Sequence, residues 1–225
     1  MTDRDRPRLL FVEDDPTIRE TTTLLLEAFG FEVDVAPDGQ AGLDAVRADR
    51  YDVALLDVML PHIDGISLIR LIRDLTTIPV VMLSARGETV DIVAGLEAGA
   101  DDYVTKPFDG SVLAARLRAV MRRTHLRGEA LGLLKVGDLE VDAAGMSAWV
   151  AGEPVRLTAT EARLLIELAR NPGVVFDRMT LLERVWDYEW TGDSRLVDVH
   201  VQRVRAKIGP GRIETVRGAG YKLVP

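Results

Sequence analysis

The 225-residue chain contains no cysteine, which excludes disulfides and thiolate metal sites. Its three histidines, His62, His125 and His200, are scattered, so a histidine metal cluster is not expected. Aromatic residues make up only 5% of the chain, too few for a platform on which single-stranded bases could stack. No apolar run approaches the roughly 20 residues that cross a bilayer, and the Arg- and Asp-rich start lacks a signal-peptide core. The expectation is a cytoplasmic protein with no membrane partner. What is present, 47% hydrophobic and 28% charged residues, suits a globular chain of one large domain or two of ordinary size.

The net charge of −8 is unevenly spread. Residues 1–123 hold 14 basic and 22 acidic side chains, whereas residues 124–225 hold 14 of each. Within the second part, residues 195–225 carry 7 basic and 2 acidic groups. A positive tip on an otherwise acidic chain is what binding to a phosphate backbone requires.

Short apolar runs at 9–12, 33–36, 53–56, 80–83 and 102–105 alternate with helical spacing, for example over 17–29 and 112–123. Five such units predict an α/β domain, a doubly wound parallel sheet covered on both faces. After Arg123 a polar, Gly-containing stretch over 124–132 reads as a linker. The pattern then changes. Residues 134–142, 146–151 and 155–157 read as antiparallel strands, and Thr158-Ala-Thr-Glu161 is a capping-box signature opening a helix to Arg170. Helices near 179–186 and 194–208 follow, then a hairpin of 212–216 and 221–224. The domains are therefore drawn at 8–123 and 133–225.

On the expected sheet, Glu13, Asp14, Asp57, Ser84 and Lys106 all fall at the carboxyl ends of parallel strands, where open α/β sheets build their sites. Three converging carboxylates call for a hard divalent cation, and oxygen-only ligation points to Mg²⁺. A carboxylate can also accept a phosphoryl group, with Mg²⁺, an ammonium and a hydroxyl stabilising its oxygens.

The stretches Val12-Glu13-Asp14-Asp15, Leu56-Asp57-Val58-Met59-Leu60-Pro61, Leu83-Ser84-Ala85-Arg86 and Asp101-Asp102-Tyr103-Val104-Thr105-Lys106-Pro107-Phe108 resemble the receiver domain of bacterial response regulators, a flavodoxin-like fold. The resemblance implies that Asp57 is the phosphoacceptor and that Glu13 and Asp14 form the acidic pair. It further implies that Asp14 and the Met59 carbonyl ligate Mg²⁺ with Asp57, that Lys106 pairs with the phosphate, and that Lys106–Pro107 is cis. Ser84 and Tyr103 become a switch pair, the hydroxyl moving to the phosphoryl group as the ring turns inward. His62, in a loop beside the site, is read as a surface residue. A phosphatase of the haloacid dehalogenase type uses a similar set, but needs a second Asp two residues after the nucleophile as general acid. Met59 occupies that position, so an enzyme is not expected.

In the second half, Val197, Val201 and Val204 form an apolar stripe on the helix over 194–208, while Arg195, His200, Gln202, Arg203, Arg205 and Lys207 occupy its other faces. Arg and Gln on an exposed helix carry donors suited to a major groove. Leu157-Thr158-Ala159-Thr160-Glu161, the run from Arg195 to Arg205 and Thr215-Val216-Arg217-Gly218-Ala219-Gly220-Tyr221 resemble the winged helix-turn-helix effector of the OmpR/PhoB family, which carries an N-terminal antiparallel sheet. That resemblance implies double-stranded promoter DNA as the ligand. Arg203 would contact a base, Arg195, His200, Arg205, Thr215 and Tyr221 the backbone, and Arg217 the minor groove. Residues 187–193, with Trp190, would face RNA polymerase, and a sensor histidine kinase would supply the phosphoryl group. Phosphorylated receivers would pair as a homodimer through the fourth helix, fifth strand and fifth helix. The expected ion pairs between subunits are Asp102–Arg116 and Glu97–Arg118, around Val93, Leu96 and Ala114. Ile92 and Val112 stand where relatives carry a third, charged pair.

Overall fold

The computed structural model describes residues 6–85, 89–122, 132–186 and 194–224. The chain divides into two compact units, Met1–Met121 and Arg122–Pro225.

The first unit alternates strand and helix: β1 (Arg8–Val12), α1 (Pro16–Ala28), β2 (Glu32–Ala36), α2 (Gly39–Ala48), β3 (Val53–Asp57), α3 (Gly65–Leu75), β4 (Val80–Ala85), α4 (Thr89–Ala98), β5 (Asp102–Lys106) and α5 (Gly110–Arg122). The strands form one parallel sheet in the order β2-β1-β3-β4-β5. β1 and β3 are buried along their whole length, which is why both read as unbroken apolar runs and not as alternating ones. Edge strand β2 buries only Ala36. Leu9, Phe11, Leu55, Val81 and Leu83 pack on one face against Leu26 of α1 and Leu113, Leu117 and Val120 of α5. On the other face Gly42 of α2 lies against Val12 and Gly95 of α4 against Met82, approaches too close for a Cβ. Helix starts are fixed by side-chain caps: Asp15 accepts from Thr17 and Ile18 N–H at 2.8 and 2.9 Å, and Asp64 from Ser67 N–H at 2.8 Å.

The order places the crevice between β1 and β3, where the chain reverses its direction of sheet building. Gly65 makes this end of the sheet possible. It opens α3 directly over the end of β3, and a Cβ there would lie 2.1 Å from the Asp57 carbonyl oxygen.

The second unit begins with four antiparallel strands, β6 (Leu133–Val136), β7 (Leu139–Asp142), β8 (Ser147–Val150) and β9 (Glu153–Val155). The expected single strand over 134–142 is two, folded at Gly137, whose φ of 63° lies in the left-handed region. Then come α6 (Ala159–Arg170), α7 (Arg178–Trp186), α8 (Arg195–Ile208) and a hairpin of β10 (Ile213–Val216) and β11 (Gly220–Leu223). The capping box is present: Thr158 N–H donates to Glu161 Oε2 at 2.8 Å and Glu161 N–H to Thr158 Oγ1 at 3.4 Å. Phe176 and Tyr221 pair backbone to backbone, tying the hairpin to the segment ahead of α7.

Candidate functional site

In the first unit, carboxylate oxygens of Glu13, Asp14 and Asp57 lie within 4.8 Å of one another. Asp57 is the last residue of β3, and Glu13 and Asp14 follow β1 directly. Lys106, at the end of β5, spans the gap: its Nζ is 2.8 Å from both Glu13 Oε2 and Asp57 Oδ2. Burial pulls the Lys106 pKa down, but the two carboxylates outweigh it and hold the ammonium charged above its ordinary range. Burial lifts the Glu13 carboxyl and the Asp57 charge adds to the rise, while the hydrogen bond from Lys106 opposes both. Asp14 is exposed, so one of the three carboxylates opens the cluster to solvent.

Two ligands at about 2.1 Å from one Mg²⁺ can be no more than about 4.2 Å apart, so the three carboxylates need close by only a fraction of an ångström. The oxygen-only donor set and its spread therefore fit that ion. Met59 lies in the loop beyond β3 and is 64% exposed. Ser84 is buried on β4 beside Thr105 of β5, and Tyr103 is buried on β5. The Lys106–Pro107 peptide is cis. His62 is exposed in the β3–α3 loop.

The face expected to pair receivers is in part already filled. Leu96, Ala114 and Ile92 are buried within the receiver itself, Ile92 with 6% of its surface exposed, and so underlie the face instead of forming it. The Asp102–Arg116 pair, expected between subunits, closes within the chain at 3.1 Å, with Asp102 fully buried. Arg118 donates to the Phe29 carbonyl and lies over the Phe31 ring of its own chain. Glu97 and Val112 remain exposed, and Val93 is half-buried.

In the second unit, Arg195, Thr215 and Arg217 are exposed as expected. Arg205 is half-buried, donating from Nε to the Ile213 carbonyl at 2.9 Å and from Nη2 to Thr215 Oγ1 at 2.7 Å. Three side chains expected on the outer surface are held within the unit. His200 is fully buried: its Nδ1–H donates to the Leu196 carbonyl at 2.8 Å and its ring meets Trp186 edge-on. Its position, three residues after Val197 and four before Val204, puts it beside the apolar stripe. Tyr221 is also buried, and its hydroxyl donates to Asp198 Oδ1 at 2.7 Å. Arg203 is not an exposed reader: its side chain is only 11% exposed, with Nη2 2.8 Å from Glu161 Oε1.

Glu161 is the residue that sequence reasoning valued only as a cap. It is fully buried, and Lys207 Nζ reaches its Oε2 at 2.6 Å, so one carboxylate of α6 gathers two cations of α8. The Arg203 contact is a close ion pair without hydrogen-bond alignment. Arg178 was missed as well; its Nε donates to Asp198 at 2.7 Å and its guanidinium lies 4.9 Å from the Tyr221 ring centre. The residues 187–193 expected to face RNA polymerase, and 124–131 of the linker, lie outside the described residues.

Residues 9–118 match the family of the response regulator receiver domain, and residues 152–223 that of the transcriptional regulatory protein, C terminal. The chain is 61% identical to transcriptional regulatory protein CseB of Streptomyces coelicolor over 97% of this chain and 98% of the relative. It is 47% identical to the DNA-binding response regulator MtrA of Mycolicibacterium smegmatis over 99% of each. Among solved structures it resembles response regulator DrrB of Thermotoga maritima, an OmpR/PhoB homologue, at 33% identity and a TM-score of 0.51 over 98% of this chain and all of the other. A mutant of RitR gives a TM-score of 0.76 at 26% identity over 96% of this chain and 98% of the other. With the receiver-type carboxylate cluster in its first unit and the α8–hairpin arrangement in its second, the chain belongs to the OmpR/PhoB family of response regulators.

Proposed function

We propose that Asp57 accepts a phosphoryl group from the phosphohistidine of a sensor histidine kinase, and that the modified receiver promotes homodimerisation and binding of the second unit to double-stranded promoter DNA. The observation that carries this reading is Lys106, held 2.8 Å from both Asp57 and Glu13 at the carboxyl end of the sheet. An Asp57 oxygen attacks phosphorus, a P–O bond forms as the P–N bond breaks, and the electron pair stays on the donor's imidazole. Asp14, Asp57 and the Met59 carbonyl, with Glu13 beside them, would hold Mg²⁺, which offsets charge on the transferring phosphoryl oxygens. Lys106 then follows the negative charge from the carboxylate to the phosphoryl group, and the Ser84 hydroxyl donates to a second oxygen. Tyr103, whose neighbour across the sheet is Met82, two residues before Ser84, turns inward behind the hydroxyl as it moves.

Val93, Glu97 and Val112 are the positions on α4 and α5 with surface to offer a second receiver. Arg195, Arg205 and Thr215 supply phosphate contacts and Arg217 a wing contact, with residues 187–193 directed at RNA polymerase. Arg203 takes part only by leaving Glu161, which Lys207 and Thr158 N–H continue to satisfy. The reading places the protein in the cytoplasm, where no membrane partner is needed. No helix among the described residues is long and apolar enough to cross a membrane.

The test is mass spectrometry of the full chain after incubation with a small phosphodonor, with Mg²⁺ or with EDTA. One phosphoryl group is expected with Mg²⁺ only, and none on Asp57→Asn. A stable phosphoryl group on that variant overturns the assignment.

A further inference from the structure

At 100° per residue, the buried line of α8 runs through Val197, Val201, Val204 and Ile208. Measured from Val204, Arg195 lies about 180° around the axis, with Gln202 and Ala206 about 160° away on either side of that opposite line. Arg203 and Arg205 sit on the two flanks, each about 100° from Val204. Exposure follows this wheel on the far side except at Val199, about 140° from Val204, which is 8% exposed. Arg195, Gln202 and Ala206 are exposed, whereas Arg203 turns to Glu161 and Arg205 to the hairpin.

A helix laid in a major groove presents the ridge opposite its packed side to the base edges. On α8 that ridge has one side chain able both to donate and to accept, Gln202. Its amide makes no hydrogen bond among the described residues. Ala206, one turn further on, adds only a methyl, so it does not hold the helix away from the floor of the groove. A carboxamide matches adenine, accepting from N6–H while donating to N7; a guanidinium matches guanine O6 and N7 or a phosphate. Gln202 is uncharged, so it can leave water without the desolvation cost of a lone cation.

We infer that Gln202 is the base-reading residue of α8 and that it selects adenine, with Arg195 at the start of the helix and Arg205 on its flank fixing it against the phosphates. This rests on the proposal that α8 enters duplex DNA, and it assigns the discrimination to a residue other than Arg203. The carboxamide contributes a preference for adenine of roughly 5- to 150-fold at one position of each half-site.

The experiment selects binding sites for the full chain, treated with phosphodonor and Mg²⁺, from a pool of randomised duplexes. Gln202→Ala, Gln202→Arg and Arg203→Ala are carried alongside. Gln202 is exposed, so its variants are expected to fold as the wild type does. The expected result is one adenine-selective position per half-site that is flattened in Gln202→Ala and becomes guanine in Gln202→Arg. The salt dependence of binding should be the same in Gln202→Ala as in wild type, since no phosphate contact is lost. Adenine preference that survives intact in Gln202→Ala overturns the assignment. So does an equal loss on all sequences with a shallower salt dependence, which marks Gln202 as a phosphate contact. Loss of the adenine position in Arg203→Ala alone returns the role to that residue. A wild-type chain that enriches no duplex overturns the DNA-binding proposal itself.

Discussion

Replacing Glu161 with glutamine keeps the volume of the side chain and an oxygen for Thr158 N–H, but removes the charge that Arg203 and Lys207 share. Breaking a buried ion pair by deleting one partner costs about 3–5 kcal/mol. Lys207 is 35% exposed and can turn to water, so the loss lies at the lower end, about 3 kcal/mol. For a unit of this size each kcal/mol lowers the melting midpoint by about 4 °C, giving a shift of about 12 °C. All three tryptophans, Trp149, Trp186 and Trp190, belong to the second unit, so tryptophan fluorescence of the full chain follows that unit alone. The effect also has a pH signature. Burial on its own would raise the Glu161 carboxyl, but Arg203 and Lys207 outweigh burial and hold it below its ordinary value of 4.5. A depressed folded pKa contributes stability that is complete above 4.5 and is lost as pH falls through the folded value. Wild type and Glu161→Gln should therefore differ most near neutrality and converge in acid. An unchanged midpoint at neutral pH, or a gap undiminished at about pH 3, refutes the assignment of a stabilising ionised Glu161.

Gly65→Ala would push a methyl 2.1 Å from the Asp57 carbonyl oxygen, so it should destabilise the receiver by about 1–3 kcal/mol and slow phosphoryl uptake, read by circular dichroism and mass spectrometry. Val112 is 46% exposed, so Val112→Ala should weaken the phosphorylated dimer by about 1 kcal/mol, with salt dependence unchanged in ultracentrifugation. Ile92, already buried, should contribute little to that affinity on its own. Arg195→Ala should weaken binding to specific and random duplexes alike and reduce the salt slope by about 1.

The strands of the first unit were readable to within a residue or two, because two-sided burial of β1, β3 and β4 confines their polar residues to the strand ends and leaves the middles as unbroken apolar runs. The carboxylate site was readable for the same reason: a parallel sheet puts every strand end on one side, so strand positions alone gather Glu13, Asp57 and Lys106. The second unit was less legible where its helices meet. The sequence places Arg203 outside the apolar stripe, but only the crossing of α6 and α8 reveals that Glu161 waits there. His200 was placed on an outer face despite its stripe spacing, and it is buried. The division of 134–142 was missed although Gly137-Asp138 is a sound two-residue turn signal. Ion pairs such as Asp102–Arg116 are ambiguous in any sequence, because the same two charges can close within one chain or between two.

Tyr221 has a consequence for the shape of the DNA that this protein can accept. Its backbone is paired to Phe176 at 2.8 and 2.9 Å, its hydroxyl is tied to Asp198 on α8, and its ring lies within 5.5 Å of both Arg178 and Arg205. Gly220 beside it approaches the Phe176 carbonyl so closely that a Cβ would stand 1.9 Å away. The hairpin thus has no hinge at its base independent of α8, and the spacing between helix and wing is set before any duplex arrives. On the proposed docking of α8 and Arg217, accommodation falls to the nucleic acid, so operators with intrinsic curvature, or with easily kinked pyrimidine–purine steps between the two groove positions, should be bound at lower deformation cost than stiff ones.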